Sequence, residues 1–145
     1  MLRFESGDEF ASGATKYSFE PPADPKLGVQ VEVDGIQTLA VVDTAAPYLI
    51  CSLWLASQLD FSRMDRIRSQ HIDTRFGRLR GSLYRLSIKL LASEGSGIEI
   101  QATAVVPDAD EQNWRDAPTF LGFQGCLERL RFAVDPFEEK FYFGL

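Results

Sequence analysis

Apolar and polar residues alternate most cleanly between Gly28 and Val33, where Val29, Val31 and Val33 are separated by Gln30 and Glu32. That period of two predicts a half-buried strand. Asp34-Gly35 follows, the strongest short hairpin-turn signal, and Ile36 to Val42 predicts the returning strand. The pattern then changes. Leu39 to Ala56 is almost wholly apolar, yet Asp43 stands inside it, followed by Thr44, Ala45, Ala46 and Pro47. A membrane span is a poor reading, since an aspartate near its middle costs about 2.5–3.5 kcal/mol and Pro47 interrupts a helix. A buried strand ending in an acid, a sharp connection and a second strand over Tyr48 to Cys51 fit better. Ser52 predicts the cap of a short helix over Leu53 to Leu59.

Further along, Phe76-Gly77-Arg78-Leu79-Arg80-Gly81 sets glycines around a short polar tip, which predicts a mobile β-hairpin. Tyr84, Leu86, Ile88 and Leu90 alternate with Arg85, Ser87 and Lys89, a clear strand. Glu94 to Gly97 predicts its turn, and Ile98, Ile100, Ala102 and Ala104 the inner face of the next strand. Pro107 to Pro118 reads as an acidic loop anchored by Trp114. Phe120-Leu121-Gly122 is a short apolar segment, Gln124 to Leu130 a helical turn or two. Arg131 to Val134 and Phe141 to Phe143 predict closing strands around Asp135-Pro136. The aromatic residues Phe137, Phe141, Tyr142 and Phe143 read as core or dimer sheet. Before Gly28 the pattern is weak: residues 1–27 are expected to be a lead-in, loose over 1–15, with a short strand over Lys16 to Glu20 and a turn at Pro21, Pro22 and Pro25. Eight to ten short strands with one or two short helices predict an all-β closed barrel over residues 28–145.

Composition narrows the partners. A chain of 145 residues, 45% hydrophobic and 25% charged, is that of an ordinary single domain. Its net charge of −6 argues against nucleic acid, which requires a basic surface. Residues 63–85 invert the sign locally, with seven arginines and two aspartates; this reads as a solvated hairpin face or a preference for acidic substrates. Cys51 and Cys126 form no ligand-like cluster and are expected to be reduced and buried. The first residues lack a signal-peptide core, so a cytoplasmic location is expected.

Asp43 is the residue that asks for chemistry. A carboxylate in apolar surroundings must be hydrogen-bonded, paired or protonated, and such groups are enriched at functional sites. The plainer reading is a turn-initiating residue after a strand. Other chemistries lack support: His71 is the only histidine, no nucleophile elbow precedes a helix, and no zinc-ligand spacing occurs. Gly122-Phe123-Gln124-Gly125 lacks the glycine spacing of a dinucleotide loop.

From Gly28 to Gly144 these residues, in this order, resemble the retropepsin-like aspartic proteases. That family has an apolar strand, Asp-Thr/Ser-Gly-Ala, and a second apolar strand; here the segment reads Val41-Val42-Asp43-Thr44-Ala45-Ala46. The family's flap hairpin corresponds to about Asp73–Ser82, and its late glycine segment to Phe120-Leu121-Gly122. The resemblance implies a homodimeric acid-protease barrel with no cofactor and no metal, acting on a peptide or protein. It implies Asp43, Thr44 and Ala45 as catalytic-loop residues, and Ala46, Phe76, Gly77, Arg78, Leu79 and Gly122 at the substrate. A lone aspartate is a poor hydrolytic catalyst. Two at about 3 Å share one proton, so one acts as base on water while the other polarises the carbonyl. One such segment per chain means that the second carboxylate comes from a two-fold mate, with an interface of residues 43–46 and a terminal strand such as Phe141 to Gly144. Thr44 would then bond across the axis.

Ala45 stands where the family has glycine. At positive φ an alanine costs about 1–2 kcal/mol; at negative φ it fits and stiffens the loop. The rival readings are a catalytically silent dimerisation or peptide-binding module of the same fold, and a plain structural β-barrel.

Overall fold

Strands β3 (Leu27–Val33) and β4 (Ile36–Val42) form the hairpin that the alternation predicts. Asp34 and Gly35 both adopt positive φ, 46° and 85°, which a two-residue turn matched to strand twist requires. Val29, Val31 and Val33 are buried while Gln30 is exposed, so the period of two does select one inner face. This computed structural model describes residues 1–19 and 27–145, with Phe19 described by its backbone alone. The predicted turn at Pro21, Pro22 and Pro25 lies outside the described residues.

β3 and β4 belong to a ring. In chain order the other members are β5 (Leu49–Ile50), β7 (Gly77–Leu90), β9 (Ile98–Pro107) and β10 (Thr119–Leu121). The ring runs β3-β4-β10-β5-β9-β7 and closes by β7 pairing back on β3. Closure leaves no free edge among these six strands. β2 (Ser18–Phe19) adds to β3, and β6 (Asp65–Thr74) projects from the ring as the partner of β7. Helix α1 (Leu53–Gln58) is capped as expected, Ser52 Oγ accepting from the Leu55 amide at 3.0 Å.

Leu86, Ile88 and Leu90 of β7 meet Ile98, Ile100, Ala102 and Ala104 of β9 and the three valines of β3 in the main core. Burying each large aliphatic side chain there contributes about 1.5–3 kcal/mol. A second core of Val41, Ile50, Ile72, Leu79, Leu83, Val105, Trp114 and Phe120 lies under the projecting hairpin.

A second sheet is built from β1 (Gly13–Lys16), β8 (Glu94–Gly95), β11 (Arg131–Asp135) and β12 (Lys140–Gly144), in the order β11-β12-β1-β8. Part of the lead-in is therefore integral to the fold: β1 pairs with β12 in register from Gly13 with Phe143 to Lys16 with Lys140. The expected contact of Phe141 to Gly144 with a partner chain finds no free strand edge here. Both edges of β12 are occupied within its own chain, and Phe141 and Phe143 are fully buried in the main core. Phe137, by contrast, is 96% exposed in the β11–β12 turn and is not core.

Two other expectations change. The hairpin turns at Arg75-Phe76, so Arg78 to Gly81 are strand and not tip; β6 is longer than the glycine spacing suggested. Where a helical turn or two is expected over Gln124 to Leu130, one 3-10 turn forms, over Leu127–Arg129 alone. Gly125, at φ 69°, leaves the helical region and stops a longer one from forming. Among the described residues the strand count reaches twelve because β2, β5 and β8 are two-residue pieces.

Candidate functional site

β10 runs parallel beside β4, pairing Thr119 with Ala40 and Leu121 with Val42. The Asp43 amide extends that ladder, donating to the Leu121 carbonyl at 3.0 Å. The chain then folds back on the aspartate. The Ala46 amide donates to the Asp43 carbonyl at 3.1 Å, and the Ala45 amide to Asp43 Oδ1 at 3.0 Å. The carboxylate is half-buried and fixed by its own loop, while Thr44 and Ala45 are exposed.

Ala45 is not among the described residues with positive φ. Alanine therefore fits this position without backbone strain. The left-handed residue is Tyr48 instead, at φ 59°, a conformation that costs a bulky side chain about 1–3 kcal/mol. The loop is pressed against the next segment: Ala46 O accepts from the Phe123 amide at 2.8 Å. At Gly122 a β-carbon would stand 1.9 Å from Tyr48 O and 2.7 Å from Ala46 O. Glycine there lets two backbones touch.

The hairpin of β6 and β7 roofs the site. Thr74 Oγ1 donates to Gly77 O at 2.7 Å and accepts from the Phe76 amide at 3.1 Å, which closes the tip. The Phe76 ring meets Trp114 edge-on at 5.6 Å between centroids, with the Arg75 guanidinium 5.0 Å from the Phe76 centroid. Trp114 packs on Phe120 at 5.7 Å, and its Nε1 donates to Cys51 O at 3.0 Å. Between roof and floor lies a cleft of about 300 Å³ with Asp43 on its wall.

Of the predicted site residues, Asp43, Ala45, Ala46 and Phe76 line this cleft. Thr44 sits on the exposed loop beside it. Gly77 and Arg78 follow the hairpin tip on its exposed face, Arg78 pairing with Asp73 at 3.4 Å. Leu79 is buried in the second core, and Gly122 lies behind the loop. Sequence reasoning missed Trp114 and Phe120 as walls and Thr74 and Arg75 as rim. Trp114 carried a signal, as the anchor of a polar loop. Thr74 and Arg75 lie within the flap range and Phe120 within the late glycine segment that the resemblance marks, with no local sign that these side chains line the cleft.

Among the described residues, no group of three His, Cys, Asp or Glu side chains gathers as a metal site, and no helix is long and apolar enough to cross a membrane. His71 is exposed on β6. Chemically, the cleft offers the Asp43 carboxylate, oriented by its own loop, under a hairpin roof.

No family model and no curated protein matches the sequence. Among solved structures, the chain is similar to a retropepsin-like aspartic protease from Rickettsia conorii, with a TM-score of 0.55 and 16% identity over 90% of this chain and 89% of that one. That likeness, together with the closed ring of six strands, shows the fold: the chain has the retropepsin-like fold.

Proposed function

We propose that this chain is an aspartic-type peptidase that works as a homodimer. The observation that carries the reading is the placement of Asp43, whose carboxylate is held by the Ala45 amide and opens into a cleft roofed by a hairpin. One chain contributes one carboxylate. Two chains related by a two-fold axis through the loops bring the pair together, and Thr44, exposed on its loop, faces its mate.

In that pair, the ionised Asp43 takes a proton from a water molecule, whose oxygen attacks the carbonyl carbon of an extended peptide. The protonated Asp43 gives its proton to the carbonyl oxygen. The tetrahedral intermediate collapses as the Asp43 that took the water proton gives it to the nitrogen, the C–N bond breaks and a hydroxyl of the gem-diol returns its proton to the other Asp43. The β6–β7 hairpin closes over the peptide and excludes water. No cofactor or metal takes part. The two free, buried cysteines suit a reducing compartment, in keeping with a cytoplasmic enzyme.

The test is digestion of a peptide library by the wild-type chain and by Asp43→Asn. Cleavage by the first and none by the second, at equal folded content, is expected. Undiminished cleavage by the Asn variant would assign the activity elsewhere. A second reading, a silent peptide-binding dimer of the same fold, draws on one observation: Ala45 lines the cleft where the resemblance has glycine.

A further inference from the structure

Glu111 is the only buried carboxylate among the described residues, 6% exposed. A buried charge persists only when paired, and its partner is Arg80, with Arg80 Nε 2.7 Å from Glu111 Oε1. The partners belong to different walls of the cleft. Arg80 stands on β7, the returning strand of the roof hairpin, and Glu111 opens the 3-10 turn that ends at Trp114. Arg80 O also accepts from the Asp108 amide at 3.0 Å. Within the loop, Glu111 N donates to Asp108 O at 3.1 Å and Trp114 N to Glu111 O at 3.2 Å. Bonded groups thus run without a gap from the hairpin strand to the tryptophan on which the hairpin tip rests.

We propose that Arg80 and Glu111 are a positioning pair that ties the roof hairpin to the Trp114 loop and so sets the width of the cleft above Asp43. Asp110, with Oδ2 3.6 Å from Arg80 Nη2, adds a weaker and exposed contact. Arg80 is held in its charged form by the Glu111 hydrogen bond and its nearby charge. The consequence is mechanical. With the pair formed, Phe76 and Trp114 move together; with it broken, the loop swings free of the roof and Trp114 meets water. The role in substrate binding rests on the peptidase reading, whereas the coupling of the two walls does not.

The chain has two tryptophans, and Trp54 is 54% exposed, so Trp54→Phe leaves Trp114 as the sole reporter. In that background, Glu111→Ala is expected to raise the acrylamide quenching constant of Trp114 about threefold or more, through local opening within a folded chain. Glu111→Gln, which keeps an acceptor for Arg80 Nε, should restore most of the protection. Arg78→Met, which breaks an exposed pair with Asp73, should leave the Trp114 quenching constant unchanged. Arg80→Lys keeps the charge but loses the directed bond, and it decides the matter if Glu111→Ala does not fold. Wild-type quenching in the folded Glu111→Ala variant, or in Arg80→Lys where only that one folds, would overturn the proposal. With a cleaved peptide, Glu111→Ala and Arg80→Lys should raise KM about tenfold and move kcat less than about twofold, the pattern of lost uniform binding. A wild-type chain that cleaves nothing would count against the peptidase reading and leave the quenching result to judge the pair.

Discussion

Gly122 and Tyr48 stand back to back, so close that a β-carbon on Gly122 would lie 1.9 Å from the Tyr48 carbonyl oxygen. The contact explains why Tyr48 holds a left-handed backbone: the chain must bend out of the Asp43 loop and into β5 while another backbone occupies the inside of the bend. The loop is shaped from behind by a residue that does not line the cleft.

Gly122→Ala should therefore damage the site more than its size suggests. The clash is with backbone on both sides, Tyr48 O and Ala46 O, so no side chain can turn aside. Destabilisation of about 3 kcal/mol, the upper end for overpacking, is expected in denaturant unfolding. Hydrolysis should fall with it, because the displaced loop carries Asp43. A variant with wild-type stability would mean that the two segments separate more easily than their contact implies.

Ala45→Gly probes the same loop from the front. Since Ala45 does not have positive φ, glycine adds only unfolded-state freedom, and stability should drop by about 0.4–1 kcal/mol. The lost methyl also clears the cleft beside each carboxylate, once per subunit. Regaining 1.4 kcal/mol in the transition state would raise turnover about tenfold. A gain marks a damped enzyme, and silence in both forms favours the binding module. A clear loss would show that the alanine assists catalysis.

How much of this was legible depended on distance along the chain. The β3–β4 hairpin could be read because alternation, Asp-Gly and the returning strand are adjacent, and Trp114 could be read as an anchor because it stands alone among polar residues. The partners of a strand carry no such local mark. Gly13 opposes Phe143 across nearly the whole chain, so residues 1–15 read as loose and nothing marked β1 as the second neighbour of β12. The hairpin tip was misplaced for a different reason. Gly77 and Gly81 drew the turn toward themselves, whereas the turn lies at Arg75-Phe76, stapled by the Thr74 hydroxyl. Of the site, the loop sequence revealed Asp43 and its neighbours. The aromatic wall of Phe76, Trp114 and Phe120 comes from three separate segments and exists only after folding.

Assembly can be tested apart from catalysis. Sedimentation should show dimer at micromolar concentration. Thr44→Val removes one hydroxyl from each side of the axis; at about 1 kcal/mol for each lost bond, dissociation should rise about thirtyfold. Phe141→Ala should behave differently. That ring is fully buried within its own chain, so its loss should cost about 3–5 kcal/mol of fold stability and not act chiefly on association. Monomer alone at high micromolar concentration would undo the paired-carboxylate reading.

The two thiols make a prediction about pH that needs no activity. Burial pushes the Cys51 thiol from its ordinary value of 9.0 up to about 12, and burial also pushes Cys126 up to about 12, against an opposing pull from Arg129. Below pH 9 both folded and unfolded chains keep these protons, and the thiols leave stability unchanged. Between about pH 9 and 12 the unfolded chain releases them while the folded chain holds them. Stability must then fall as pH rises, by about 1.4 kcal/mol per pH unit for each thiol. Lysine and tyrosine titrate in the same window, so the informative quantity is a difference between variants. Cys51→Ala leaves a small cavity and shifts the whole curve down, yet it should flatten the alkaline slope by about 1.4 kcal/mol per pH unit. In the native chain at pH 8 neither thiol should react with a disulfide reagent, since the thiolate is the reactive form and both are buried; denaturation should expose both. Equal alkaline slopes for wild type and Cys51→Ala would mean that Cys51 ionises in the folded chain as it does in the unfolded one, and that the core around Cys51 is open to water.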